Sequence, residues 1–144
     1  MTFEVPLQKA APVRVLIADD HPLVRQGIAQ VLEEPGYQVV GEASDGLEAV
    51  DKVKGLHPQV VLMDVKMPRC GGLEATLRLQ KEAPEAHVLI LTVSDRDEDL
   101  FAAVRFGARG YLLKDAEPKE IRDAVSRVAA GEAVFSPLMA ARLL

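Results

Sequence analysis

Five short apolar, β-rich runs, separated by stretches with helical spacing, limit this chain more than any other feature. They are Val13–Ala18, Tyr37–Ala43, Gln59–Asp64, His87–Thr92 and Gly110–Leu113. Runs of this kind read as strands of a parallel sheet buried on both faces. Alternation with helices predicts an α/β, three-layer (βα)5 sandwich, and right-handed crossovers place helices on both faces. The expected strand order is 2-1-3-4-5, with the ligand-binding switch point beside strands 1 and 3.

Helix signals fill the intervals. Pro22 suits a first helical turn, followed by Leu23, Val24, Gly27, Ile28, Val31 and Leu32. Ser44 or Asp45 can cap a helix with Leu47, Val50 and Val53 inward. Leu73, Leu77 and Gln80 are expected on one face of the next, and Leu100, Ala103 and Val104 on the fourth. Asp115 is the expected cap of the last, whose inner face is Ile121, Ala124, Val125 and Val128.

All strand C-termini of a parallel sheet share one edge. The polar residues ending these runs would therefore meet: Asp19 and Asp20, Asp64, Thr92 and Lys114. Singly, each is an ordinary turn, cap or surface residue. Together they are a site for a metal and a phosphoryl group. Two carboxylates about 4 Å apart repel by roughly 4 kcal/mol at an effective dielectric of 20, so three need a cation or a proton. Oxygen donors at a partly open edge suit Mg²⁺ or Mn²⁺. Lys114 and Thr92 can hold phosphoryl oxygens, and Asp64 is the candidate nucleophile for an acyl phosphate.

Composition narrows the partners. A net charge of −5 and no run of Lys or Arg argue against strong nucleic-acid binding by this chain itself. No stretch approaches the roughly 18 apolar residues of a membrane span. Residues 1–12 lack a basic start and an apolar core, and read as a disordered leader. The single cysteine, Cys70, permits no intramolecular disulfide, so a reducing cytoplasm is expected.

The motifs resemble the receiver domain of a bacterial two-component response regulator of the NarL/FixJ (LuxR-type) subfamily. The resemblance rests on Ile17–Gly27, Leu62–Pro68, Leu91–Ser94 and Gly107–Asp115, and runs from about Val13 to Phe135. It implies a flavodoxin-like fold and a phosphorylation switch rather than an enzyme with a separate substrate. Asp64 would take a phosphoryl group from a sensor histidine kinase. Asp20, Asp64 and the backbone carbonyl of Lys66 would hold Mg²⁺, with Asp19 acting through water. Thr92 and Lys114 would bind the phosphoryl oxygens, and Tyr111 would be the aromatic switch. A homodimer would form on phosphorylation. Departures are few: Cys70-Gly71 before Gly72, Phe106 at an often small position, and Val93 after the threonine.

Residues 13–131 are then the receiver, and 132–144 the start of a linker helix towards a helix-turn-helix effector outside this chain, through which alone DNA would be bound. Ser136-Pro137 marks that helix start. Alternatives are a stand-alone receiver acting through protein contacts and a Mg²⁺-dependent aspartyl-phosphate phosphatase. The phosphatase wants an acid two residues after the nucleophile, where Lys66 stands. A flavin or nucleotide binder would need a phosphate-cradling loop where Asp19-Asp20 lie.

Overall fold

The computed structural model describes residues 11–144. The expected leader thus lies outside the described residues, apart from Ala11 and Pro12. The elements alternate as expected: β1 (Val13–Ala18), α1 (Pro22–Val31), β2 (Tyr37–Ala43), α2 (Gly46–Leu56), β3 (Val60–Met63), α3 (Gly72–Glu82), β4 (His87–Thr92), α4 (Asp97–Arg105), β5 (Gly110–Leu113), α5 (Pro118–Ala129) and α6 (Pro137–Leu143). The sheet is parallel throughout, in the order β2-β1-β3-β4-β5. Among the described residues no helix is long and apolar enough to cross a membrane.

Two apolar layers sandwich the sheet. Val15, Ile17, Leu62, Leu89 and Leu112 face α1 and α5, where Ile28, Ile121, Val125 and Val128 meet them. Leu16, Val61, Met63 and Ile90 face α2, α3 and α4, against Val50, Val53, Leu79, Leu100 and Ala103. Strands buried on both sides read as continuous apolar runs, which is why they stood out in the sequence.

Helix orientation departs from expectation where small residues do the packing. In α3 the buried face is Gly72, Ala75, Thr76 and Leu79, while Gln80 is exposed and Leu73 and Leu77 are only half-buried. Gly72 lets the helix touch the sheet: a Cβ there would sit 1.8 Å from the Asp64 carbonyl oxygen. Thr76 can be buried because its hydroxyl donates to the Gly72 carbonyl, 2.7 Å away. In α2 the inward set is Gly46, Ala49, Val50 and Val53, leaving Leu47 exposed. Val104 on α4 is likewise exposed.

Caps divide similarly. Asp45, buried, accepts from the Glu48 N–H at 2.9 Å and pairs with Arg69. The Glu48 backbone bond leads, and with Arg69 it outweighs burial, so the Asp45 carboxyl lies below the ordinary carboxylate value. Asp115 does not cap α5. Glu117 occupies that N-cap without a side-chain bond, and Pro118 starts the helix. Ser136 does cap α6, accepting from Met139 N–H at 3.1 Å. The segment before α6 returns to β5, where Val134 pairs in parallel with Gly110.

The glycines give a paired stability test. Gly27 lies inside α1 with nothing within 4 Å of an added Cβ. Gly27→Ala is therefore expected to raise unfolding free energy by about 0.5–1 kcal/mol. Gly72→Ala must displace backbone and is expected to cost about 3 kcal/mol or more. Urea titration followed by circular dichroism measures both, and equal stabilities would contradict the close approach of α3.

Candidate functional site

The hydrogen-bond ladder continues one residue past the strands and fixes the site's backbone. Asp19 N–H donates to Ala43 at 2.9 Å, Asp64 N–H to Ala18 at 3.0 Å, and Lys114 N–H to Thr92 at 2.9 Å. The side chains of β-strand-end residues at adjacent strands thereby converge on one edge. Asp19, Asp64 and Thr92 are buried, with exposures of 1%, 5% and 1%.

Lys114 binds this edge together. Its Nζ lies 2.6 Å from Asp19 Oδ2 and 2.9 Å from Asp64 Oδ2. Burial alone would push the lysine pKa down, but its bonds to Asp19 and Asp64 and their charges override this and raise it. Burial likewise pushes the Asp19 carboxyl up, and Lys114 with the His21 N–H more than reverses it, so its pKa is lowered. Both groups of the Asp19–Lys114 contact therefore stay charged near neutrality.

Around them stand partners that the sequence reading left aside. His21, at the N-cap of α1, donates its N–H to Asp19 Oδ1 at 2.9 Å. Its Nδ1 lies 3.1 Å from Asp19 Oδ1 and 3.0 Å from Asp20 Oδ1. Arg25 donates to the Asp19 carbonyl at 2.6 Å. Asp64 Oδ1 accepts from Val65 N–H at 2.8 Å.

The donor set fits a hard divalent cation. Asp19, Asp20, His21 and Asp64 each offer a ligand atom within 4.8 Å of the others. Asp20 Oδ1 is buried yet accepts no hydrogen bond, with the His21 ring beside it only as an ion-pair neighbour. A sheltered carboxylate oxygen without an aligned donor is costly unless a cation meets it. A cleft of about 250 Å³ is lined by His21, Val24, Asp64, Lys66, Thr92, Val93 and Lys114. Lys66 is thus at the site, on the loop after β3.

Thr92 and Tyr111 are linked through one residue. Thr92 Oγ1 accepts from Ser94 N–H at 3.3 Å, and Tyr111 donates its hydroxyl to the Ser94 carbonyl at 2.8 Å. Tyr111 is 1% exposed, so its ring is turned inward. Burial, only partly offset by the Ser94 bond, pushes the phenol pKa up and keeps it a donor. Ser94 gave no sequence signal beyond its place in a motif, and its partner is 17 residues away. Cys70 is buried, and burial followed by the Glu74 charge pushes its thiol up, away from redox reactivity.

Comparison with known proteins agrees with this geometry. The chain is 44% identical over 133 residues to the transcriptional regulatory protein YxjL of Bacillus subtilis, covering 92% of this chain and 61% of that one. It is 44% identical over 131 residues to the nitrate/nitrite response regulator NarP of Escherichia coli, covering 90% and 61%. It therefore spans about three-fifths of the length of these curated relatives. A LuxR-family two-component response regulator from Aurantimonas superposes with a TM-score of 0.86 at 35% identity, covering 92% of this chain and 96% of that one. The receiver domain of a NarL protein from Mycobacterium tuberculosis gives 0.83 at 35%, covering 85% and all of that chain. The model of the response regulator receiver domain matches residues 15–126, from within β1 to within α5, and the chain belongs to that family.

Proposed function

We propose that this chain is the phosphorylation-dependent switch of a two-component system, with Asp64 as the phosphoacceptor. The observation that carries the reading is the convergence of Asp64, Asp19 and Lys114 within ion-pair distance at one sheet edge. A carboxylate oxygen of Asp64 attacks the phosphorus of a sensor kinase's phosphohistidine. The P–N bond breaks and the imidazole leaves with its electron pair, taking a proton from solvent. The product is an acyl phosphate on Asp64.

The chain's own groups prepare that transfer. Lys114, already facing Asp64, follows the new phosphoryl oxygens as a mobile point charge. Thr92 Oγ1 holds only a long bond to Ser94 N–H and is free to turn its own proton to the phosphoryl group. Mg²⁺ or Mn²⁺ would be held by Asp20, Asp64 and the Lys66 carbonyl, with Asp19 acting through water. Bound there, it supplies charge neutralisation for the dianionic group. The chemistry acts on the chain itself rather than on a separate substrate.

Beyond the receiver the reading follows the relatives. YxjL and NarP are named as a transcriptional regulatory protein and a response regulator, and both are longer than this chain. The full protein would control transcription in the cytoplasm, with residues 132–144 leading towards a DNA-binding domain. Phosphorylation would favour a homodimer.

Three measurements test this. Acetyl phosphate with Mg²⁺ is expected to add one phosphoryl group by intact mass spectrometry, and Asp64→Asn to abolish it; an unmodified wild type overturns the reading. Lys114→Met leaves Asp19 and Asp64 facing each other without a cation. It should lower stability by about 3 kcal/mol in chelator, and saturating Mg²⁺ should restore more in the variant than in wild type by urea titration. Light scattering should show a larger mass with beryllofluoride than without; identical masses refute the dimer.

A further inference from the structure

The proposed metal ligands are all oxygens, yet the acidic edge also carries a nitrogen. We propose that His21 is a further ligand of the metal through Nδ1, and that this donor biases the site towards transition-metal ions over Mg²⁺. The inference rests on the reading of Asp20 and Asp64 as metal ligands and deepens it.

The backbone aims the ring. His21 is the N-cap of α1 in extended conformation, and the proline that follows keeps it there. Its N–H is bonded to Asp19 Oδ1 at 2.9 Å, which draws the residue over the acids. The side chain makes no capping bond, so the helix does not compete for it. Arg25, one turn on, donates to the Asp19 carbonyl and holds α1 against the same strand end. The ring Nδ1 comes to rest 3.1 Å from Asp19 Oδ1 and 3.0 Å from Asp20 Oδ1.

That arrangement is unmatched without a cation. A ring nitrogen carries at most one hydrogen, so it serves at most one of the two oxygens. Asp19 Oδ1 already has the His21 N–H, whereas Asp20 Oδ1 is buried and accepts nothing. An octahedral ion with bonds of about 2.1 Å sets neighbouring ligands about 3.0 Å apart. Nδ1 and Asp20 Oδ1 already stand at that separation. The ring also borders the cleft that Asp64, Lys66 and Lys114 line, so it faces the space of the metal and the phosphoryl group.

Donor chemistry then sets selectivity. Mg²⁺ prefers oxygen and dehydrates reluctantly, so it keeps a water where the imidazole stands. Affinity for nitrogen and oxygen donors rises from Mn²⁺ through Co²⁺ to Ni²⁺, and imidazole suits the later ions far better than it suits Mg²⁺. The other histidines lie elsewhere: His57 ends α2 and His87 begins β4, at the sheet edge opposite the strand C-termini.

Calorimetric titration of the untagged full chain with Co²⁺, and separately with Mg²⁺, tests this. His21→Ala is expected to weaken Co²⁺ binding about tenfold and Mg²⁺ binding less than about twofold. The visible absorption of bound Co²⁺ should move to longer wavelength in the variant, because water replaces an imidazole. Asp20→Asn should weaken both ions. Equal weakening of both ions by His21→Ala, undiminished Co²⁺ binding, or an unchanged Co²⁺ spectrum overturns the proposal. Co²⁺ affinity that survives Asp20→Asn also overturns it, by placing the ion at another histidine. The His21 side chain is 65% exposed, so its loss opens no cavity. If alanine nevertheless disturbs α1 by circular dichroism, His21→Asn, a strong cap residue, carries the same comparison with the same outcomes. Binding of neither ion by wild type refutes the metal reading itself, whereas binding of both with equal losses refutes His21 alone.

Discussion

The ammonium of Lys114, set between the carboxylates of Asp19 and Asp64, is the interaction on which this molecule's organisation depends. Two buried anions at adjacent strand ends would repel each other strongly at low dielectric. The lysine reaches across from the last strand, so the attraction ties β5 to β1 and β3 over the top of β4. Removing one partner from such a buried arrangement typically costs about 3–5 kcal/mol. The same arrangement is poised for change, because any new dianion on Asp64 must redraw it.

The backbone makes this economy of charge possible. Ladder bonds that run past Ala18, Met63 and Leu113 fix the main chain before the side chains begin. Close packing then holds the supports: Gly72 lets α3 lie against the Asp64 carbonyl, and Gly46 lets α2 lie against Cys70. Rigid strands position the acids, while the loop from Val93 to Arg96 carries Ser94, which touches both Thr92 and Tyr111.

Much of this was legible in the sequence because parallel strands buried on both faces are unmistakable as apolar runs. Strand order, the shared edge and the residues Asp19, Asp20, Asp64, Thr92 and Lys114 all followed from that one pattern. The α5 face of Ile121, Ala124, Val125 and Val128 was equally plain, since its apolar and charged residues segregate cleanly. The α3 face was misjudged because large residues catch the eye, whereas Gly72 and Ala75 make the contact by being small. Asp115 looked like a cap by type, but the helix begins later, at Pro118. His21, Arg25 and Ser94 act through backbone groups and ring geometry. Those partnerships have no periodicity to read.

The rung between Gly110 and Val134 has a consequence for how the domain behaves among its own copies. A last strand such as β5 would otherwise present unpaired backbone groups, a template on which another chain's strand can add. Val134 takes up the Tyr111 N–H and donates to the Arg109 carbonyl, so the start of the row is closed from within. A receiver trimmed to the end of α5 would keep its fold and its acidic edge but lose this seal. It would gain a route to edge-to-edge aggregation that the longer chain narrows.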